Sequence, residues 1–506
     1  MRRLLLAGCL LAAALGPVAA VTSARAQTLR IALREDADIL DPTLARTYVG
    51  RIVFAGLCDK LFDIDAHLHV VPQLATGYEW AGPTTLLIHL RPGVVFQDGE
   101  KMDAAAVKYS LDRHLTMPGS FRRGEISAID HVEVVDPLTA RVVLKSPSGA
   151  FLAQLTDRAG MIVAPKAAEQ EGKDFGLHPV CAGPFSFVER VPEDHITLQR
   201  FPQYWDAKDI HFDKVIYQII VDSSARLANL KAGAVDLAEY IVPTDAAAVK
   251  ADPKLRLVVS DSLGYFGITN NIANGKAADN PYGRSALVRQ AFSLAIDRAA
   301  LVNVVFNGMN TPTMQAVPTS SPFYDPALKV PARDVAKAKA LLAQAGVKTP
   351  VPVELMVANN PDTEQAAEVI QSMAAEAGFD VKIRATEFAT TLTLSEQGEY
   401  QALMIGWSGR VDIDGNTYQF LHSHQANNVS GYANPTVDKL LAEARNMTDL
   451  TKRKALYDQM WTQEAKDMPI TYLWTPRNIV GMSAKLHGFR PIPDGMIRVQ
   501  GLEMSK

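Results

Sequence analysis

At 506 residues the chain exceeds what one hydrophobic core supports, because single cores stop growing at about 250–300 residues, so two large lobes with an appended subdomain are expected. Its composition, 48% hydrophobic and 21% charged with 29 Pro and 32 Gly, excludes fibrous and disordered classes. A net charge of −4 without a Lys/Arg cluster excludes a basic groove for nucleic acid.

Residues 1–26 read as a removable signal peptide. Arg2 and Arg3 form the positive start, Leu4–Leu15 is an uncharged apolar run, and Ala24-Arg25-Ala26 is an A-x-A cleavage pattern. Loss of Arg2, Arg3 and Arg25 takes the net charge from −4 to −7. A lipobox reading of Leu6-Ala7-Gly8-Cys9 fails because the apolar run continues past the cysteine. Such a leader implies export. No mature segment is long and apolar enough to span a membrane; the longest candidate, Leu287–Phe306, is interrupted by Arg289, Asp297 and Arg298. Cys58 and Cys181 remain, either bridged in an oxidising compartment or packed as two buried thiols.

In chain order, Leu29–Leu33 alternates as a half-buried strand should. Residues 66–180 have a mostly β texture, with Thr85–Leu90 and Ala140–Leu144 as strands and one helix starting near Asp103, which suggests an insertion in the first lobe. A strand at Lys214–Val221, a helix at Ser224–Lys231 and a strand at Leu263–Asn270 follow. A single long helix is then expected over Ser285–Asn307. Beyond it helices (Asp334–Ala345, Thr363–Ala377, Val437–Asn446, Lys452–Asp467) mix with strands (Pro352–Ala358, Asp380–Ala385, Gln401–Trp407, Ile470–Trp474), the pattern of βαβ units on a covered sheet.

The segment Phe96–Arg113 places a tight turn at Asp98-Gly99 and a helix cap at Asp103. It resembles the F-x-D-G-x-x-x-x-A-x-x-V-x-x-S-x-x-R signature of the extracellular solute-binding proteins of family 5, the dipeptide- and oligopeptide-binding group. Further resemblances fall in the same order. Cys181-Ala182-Gly183-Pro184-Phe185 is similar to the family's G-T-G-P-Y turn, with Cys181 and Ala182 departing. Tyr204-Trp205, Val288–Arg298 and Gly431–Pro435 with Asp438 are similar to its later elements. The likeness spans nearly the whole mature chain.

The resemblance implies a two-lobe α/β fold of the type II periplasmic-binding-protein class with an extra, mostly β subdomain. It implies a two-stranded hinge, a ligand enclosed between the lobes, and a permease with ATP-hydrolysing subunits of an ABC importer as partners. No catalytic residue, cofactor, metal or nucleic acid is expected, and the protein is expected to act as a monomer. The corresponding division is 27–270 for the first lobe (insertion 66–180), 271–474 for the second, and 475–506 returning to the first.

Ligand chemistry is expected at Gly406–Asn416, beyond the carboxyl end of a strand. Where peptide binders of the family carry an Asp for the ligand's amino terminus, this chain has Arg410. A reversed charge there suits a carboxylate or phosphate, unless Arg410 pairs internally with Asp412 or Asp414. Trp407 would wall the cleft, with Ser408 and Gly409 as polar or backbone contacts. Tyr265 and Phe266 either stack on ligand or pack the core; Asn270 is expected where the chain first crosses the hinge, and Tyr48 joins the cleft candidates. Trp461 and Trp474 are assigned to core packing.

Competing readings are weaker. Gly406-x-Ser408-x-Arg410 lacks the last Gly of a nucleophile elbow, which argues against an exported hydrolase. Asp412-x-Asp414-Gly415-Asn416 superficially resembles a calcium loop but has Ser423 at the twelfth position, so it reads as a turn. His422-x-His424 raises a metal-chelate reading, yet two histidines at that spacing face apart. His67-x-His69 reads as solvated.

Overall fold

The computed structural model describes residues 27–505; the signal peptide and the Leu6–Cys9 reading lie outside them. Two large sheets organise the chain. The first has seven strands in the order Leu255–Asp261, Arg477–Ser483, Leu237–Ala238, Thr28–Leu33, Lys214–Ile219, His195–Arg200, Phe185–Val191. Thr28–Leu33 runs parallel to Lys214–Ile219 and Leu237–Ala238, and the alternation read in sequence buries Leu29, Ile31 and Leu33 completely.

The second sheet has six strands in the order Thr311–Pro312, Ile470–Thr475, Tyr265–Asn270, Ala402–Trp407, Val351–Ala358, Phe379–Thr386. Val351–Ala358 is parallel to both Phe379–Thr386 and Ala402–Trp407. One core of this lobe gathers Val288, Phe292, Leu301, Leu342 and Ile370; another gathers Val437, Leu441, Tyr457 and Trp461. A third, four-stranded antiparallel sheet (75–82, 85–90, 139–144, 129–136) packs on helix Ala104–Thr116, which Asp103 caps by accepting from the amides of Ala105 and Ala106.

Two readings need correction. The expected helix Ser285–Asn307 is two helices, Ala286–Ala295 and Arg298–Phe306. Asp297 breaks it: its backbone is extended and its carboxylate accepts from the Ala300 amide as an N-cap. The first crossing between lobes lies at residues 262–264, not at Asn270, because Tyr265–Asn270 is already hydrogen-bonded within the second sheet. The boundary at 270 was therefore late by the length of that strand. The return crossing is at Pro476, between Thr475 and Arg477. The two crossing segments run antiparallel on both sides of the junction, pairing Asp261 with Arg477 in one sheet and Phe266 with Trp474 in the other.

A disulfide joins Cys58 to Cys181, and both are buried. It ties the C-terminal end of helix Tyr48–Leu57 to the turn that opens strand Phe185–Val191, closing a loop across 123 residues of sequence. A loop of that size is worth about 4–5 kcal/mol in the chain-entropy account. The Cys58→Ser/Cys181→Ser double variant is expected to unfold at markedly lower guanidinium concentration than the oxidised protein. An unchanged midpoint under oxidising conditions would remove the bridge from the first lobe's stability.

Candidate functional site

The parallel strands of both sheets point their carboxyl ends at one another. Arg34 and Glu35 follow Leu33, Glu239 and Tyr240 follow Ala238, Asn360 lies just beyond Ala358, and Trp407 and Ser408 end Ala402–Trp407. All of them line one inter-lobe cavity of about 270 Å³. This is where open α/β sheets bind ligands.

One wall is aromatic. Phe266 stacks on Trp474 at 4.9 Å with rings 5° apart, and Trp407 meets Phe420 edge-on at 4.8 Å. Trp407 is fixed by donating from Nε1 to Asn416 Oδ1 at 3.0 Å. Tyr265 is 4% exposed, edge-on to Tyr472, and also lines the cavity; Tyr48 lines it while donating its hydroxyl to the Gly495 carbonyl. Trp474, assigned to core packing, is indeed 2% exposed, yet it forms part of this wall.

The opposite wall is charged. The Arg34 guanidinium lies 5.3 Å from the centre of the Tyr48 ring and 4.8 Å from that of Tyr240, with Nε 3.4 Å from Glu239 Oε1. Burial pulls Arg34 down, but Glu239 and Glu35 outweigh it and hold it above its ordinary value, fully cationic. Tyr240 donates its hydroxyl across the cleft to Asp362 Oδ2 at 3.1 Å. Of the other arginines lining the cavity, Arg46 pairs with Glu396, Arg226 donates to the carbonyls of Ile220, Val221 and Tyr240, and Arg477 pairs with Asp261. Among the described residues, the terminal nitrogens of Arg34 have no partner, and its side chain stays 36% exposed.

Arg410 is not among the lining residues. It is 8% exposed, and its Nε sits 2.7 Å from Asp157 Oδ2 of the first lobe, an ion contact in which neither atom is aligned for a hydrogen bond. Its guanidinium lies 4.2 Å from the Trp407 ring centre. The internal partner is thus neither Asp412 nor Asp414. Asp412 is held by both terminal nitrogens of Arg453 at 2.6 Å, and Asp414 by Arg445 at 2.7 and 2.8 Å.

Arg51 completes the node, 2.9 Å from Asp157 and donating to Ser408 Oγ at 3.0 Å. Burial would raise the Asp157 carboxyl, but Arg410, Arg51 and Arg158 hold it well below the usual range. Nearby, Gln154 donates to Asp414 Oδ2, and Arg445 donates to the Gly124 carbonyl and Ser127 Oγ. The Arg51–Asp157 pair lies within the first lobe; the contacts to Ser408, Arg410, Asp414 and Arg445 join the first lobe to the second. They form a polar latch beside the cavity.

The remaining candidates have structural roles. Gly409, at φ +79°, lies against the first crossing: a Cβ there would come within 2.2 Å of the Leu263 backbone. Asn270 is buried at the far end of its strand, donating to the Met468 carbonyl and Thr471 Oγ1. The stretch read as a turn opens a helix, Asp414–Leu421, after Asp412 accepts from the Asp414 amide. His422 stacks on Tyr418 and contacts the Ser423 carbonyl. Among the described residues, no group of three or more His, Cys, Asp or Glu is gathered that could hold a metal. Sequence reasoning missed Arg34, Glu35, Glu239, Tyr240 and Asp362. For the first two the signal was present: adjacent charges directly after the alternating strand Leu29–Leu33.

Residues 69–428 match the bacterial extracellular solute-binding proteins, family 5, in its middle region. The glutathione-binding protein GsiB of Pectobacterium atrosepticum is 31% identical over 494 residues, covering 92% of each chain. Two solved structures superpose with TM-scores of 0.86 at 26% identity: AgaA of A. tumefaciens R10 with agropinic acid (95% of this chain, 99% of that one) and DppA of Helicobacter pylori with the peptide STSA (95% and 98%).

Arg410→Met keeps an apolar stem against Trp407 while removing the cross-lobe charge. Breaking one limb of a buried ion cluster is expected to disfavour closure by about 2–4 kcal/mol. The free protein should expand in solution scattering, and any bound solute should weaken at least about tenfold without losing a direct contact. Unchanged scattering and affinity would remove Arg410 from the closing machinery.

Proposed function

The chain belongs to the bacterial extracellular solute-binding proteins of family 5, and from that premise we propose the ligand class and the residues that hold it. As a member it is a periplasmic receptor of an ABC importer, enclosing its solute between two lobes. In the proposed reading it is exported on its cleaved leader, works as a monomer, and delivers ligand to a permease and its ATP-hydrolysing subunits. The closing bodies are residues 27–261 with 477–505, and 265–475.

The ligand is a small solute bearing a carboxylate, as glutathione and peptides do, the ligands named for GsiB and DppA. The observation that carries this is the unpartnered edge of Arg34 in the inter-lobe cavity. A guanidinium held between two tyrosines and neutralised on one side only presents its terminal nitrogens to a carboxylate in fork geometry. The anion role expected at Arg410 moves to Arg34. The aromatic wall would take the ligand's apolar portion.

A thermal-shift screen of glutathione, short peptides, organic acids, sugars and metal chelates tests the class. A ligand at 100 times its Kd stabilises the native state by about 2.7 kcal/mol. Hits should bear carboxylates and compact the protein in solution scattering. Arg34→Met should weaken them about tenfold to a hundredfold, while amidated analogues should bind wild type and variant alike. Steady turnover of a hit by purified protein, or hits without carboxylates, would overturn the reading.

A further inference from the structure

Three carboxylates line the cavity: Glu35, Glu239 and Asp362. Glu239 faces the Nε of Arg34, and Asp362 accepts the Tyr240 hydroxyl. Among the described residues, no ion pair or hydrogen bond engages the Glu35 carboxylate. Nor does the loop after Trp407 supply an acid, since Asp412 and Asp414 are each bound by an arginine outside the cavity. We infer that Glu35 is the specificity residue for a protonated nitrogen on the ligand, so the receptor selects small solutes carrying an ammonium or guanidinium group as well as a carboxylate.

The physical argument is one of pairing. A half-buried carboxylate without a partner loses hydration that nothing in the protein restores. A ligand cation restores it, and discriminates against neutral analogues because they leave the acid unpaired. Arg34 and Glu35 are consecutive and both line the cavity, so a short ligand meets both signs of charge beyond the tip of one strand. Their surroundings agree. Burial pushes the Glu35 carboxyl up to about 7, with Arg34 opposing and Glu239, Asp38 and Glu387 adding to the rise. In the empty receptor Glu35 is thus mostly protonated below that pH and ionised above it. Only the ionised form pairs with a cation, so affinity for amine-bearing ligands should rise as pH rises through about 7 and fall again once the ligand's own amine loses its proton.

This inference rests on the receptor reading and is separable from it. The probes are dipeptides and the same dipeptides N-acetylated, titrated into wild type and Glu35→Gln by calorimetry on both sides of pH 7. Free dipeptides should bind wild type at least about tenfold more tightly than their acetylated forms, more so at the higher pH; Glu35→Gln should abolish both the preference and the pH dependence. Equal affinity for free and acetylated probes, or an unaltered preference in Glu35→Gln, would overturn the assignment and leave the receptor standing. If no probe of either kind binds wild type, the receptor reading for such solutes fails and this one with it.

Discussion

Among the described residues the lobes are joined by two backbone segments, lying side by side, and most of the molecule's behaviour depends on that constraint. Asp261 pairs with Arg477 on one side of the junction and Phe266 with Trp474 on the other, so a single two-stranded ribbon serves both sheets. Such a ribbon resists separation of the lobes but absorbs rotation in a few residues, here 262–264 and 476. Close approach defines its seat. A Cβ on Gly264 would come within 2.0 Å of the Trp407 carbonyl, so the first crossing is pressed against the loop that carries Ser408 and Gly409. Bending the ribbon therefore moves the Trp407 loop relative to Arg34 and Tyr48, and the cavity changes shape with the hinge.

Ligand affinity in this geometry has two separate sources. Contacts inside the cavity are made by the ligand; the latch of Arg51, Asp157, Arg410, Asp414 and Arg445 is made by the protein alone. A pre-existing tendency to close raises the competent fraction and so lowers the apparent Kd for every solute alike. It adds no discrimination. In the proposed reading, specificity resides in charged cavity groups left open to the ligand, such as the terminal nitrogens of Arg34 and the carboxylate of Glu35. The latch is also poised near balance, because buried ion pairs recover in attraction only about what they lose in hydration. A receptor needs that: a latch much stronger would hold the empty protein shut.

The fold was largely legible because its signals are local and redundant. The alternation of Leu29–Leu33, the cap at Asp103 and the mixture of helices and strands after residue 333 each report a nearest-neighbour geometry that one stretch of chain determines. The break at Asp297 was missed because apolar residues flank it on both sides; its extended backbone and its capping hydrogen bond to Ala300 mark the interruption. The crossing was misplaced for a related reason. Tyr265–Asn270 reads as a strand in either lobe, and which sheet it joins is decided by partners far away in sequence, Ala402–Trp407 and Ile470–Thr475.

The site was less legible because a charge in sequence does not announce its partner. Arg410 stands where a ligand-binding residue was expected, and its chemistry suits an anion, but the anion it meets is Asp157, 253 residues earlier in the chain and in the other lobe. Once that pair forms, a reversed charge at this position no longer reverses the ligand's charge. It makes a contact between lobes, and in the proposed reading the recognition work passes to strand ends in the first lobe. The same rule that drew attention to Trp407, that ligands gather beyond the carboxyl ends of strands, applies equally to Leu33. Followed through both sheets, it leads to Arg34 and Glu35 without any need for a motif.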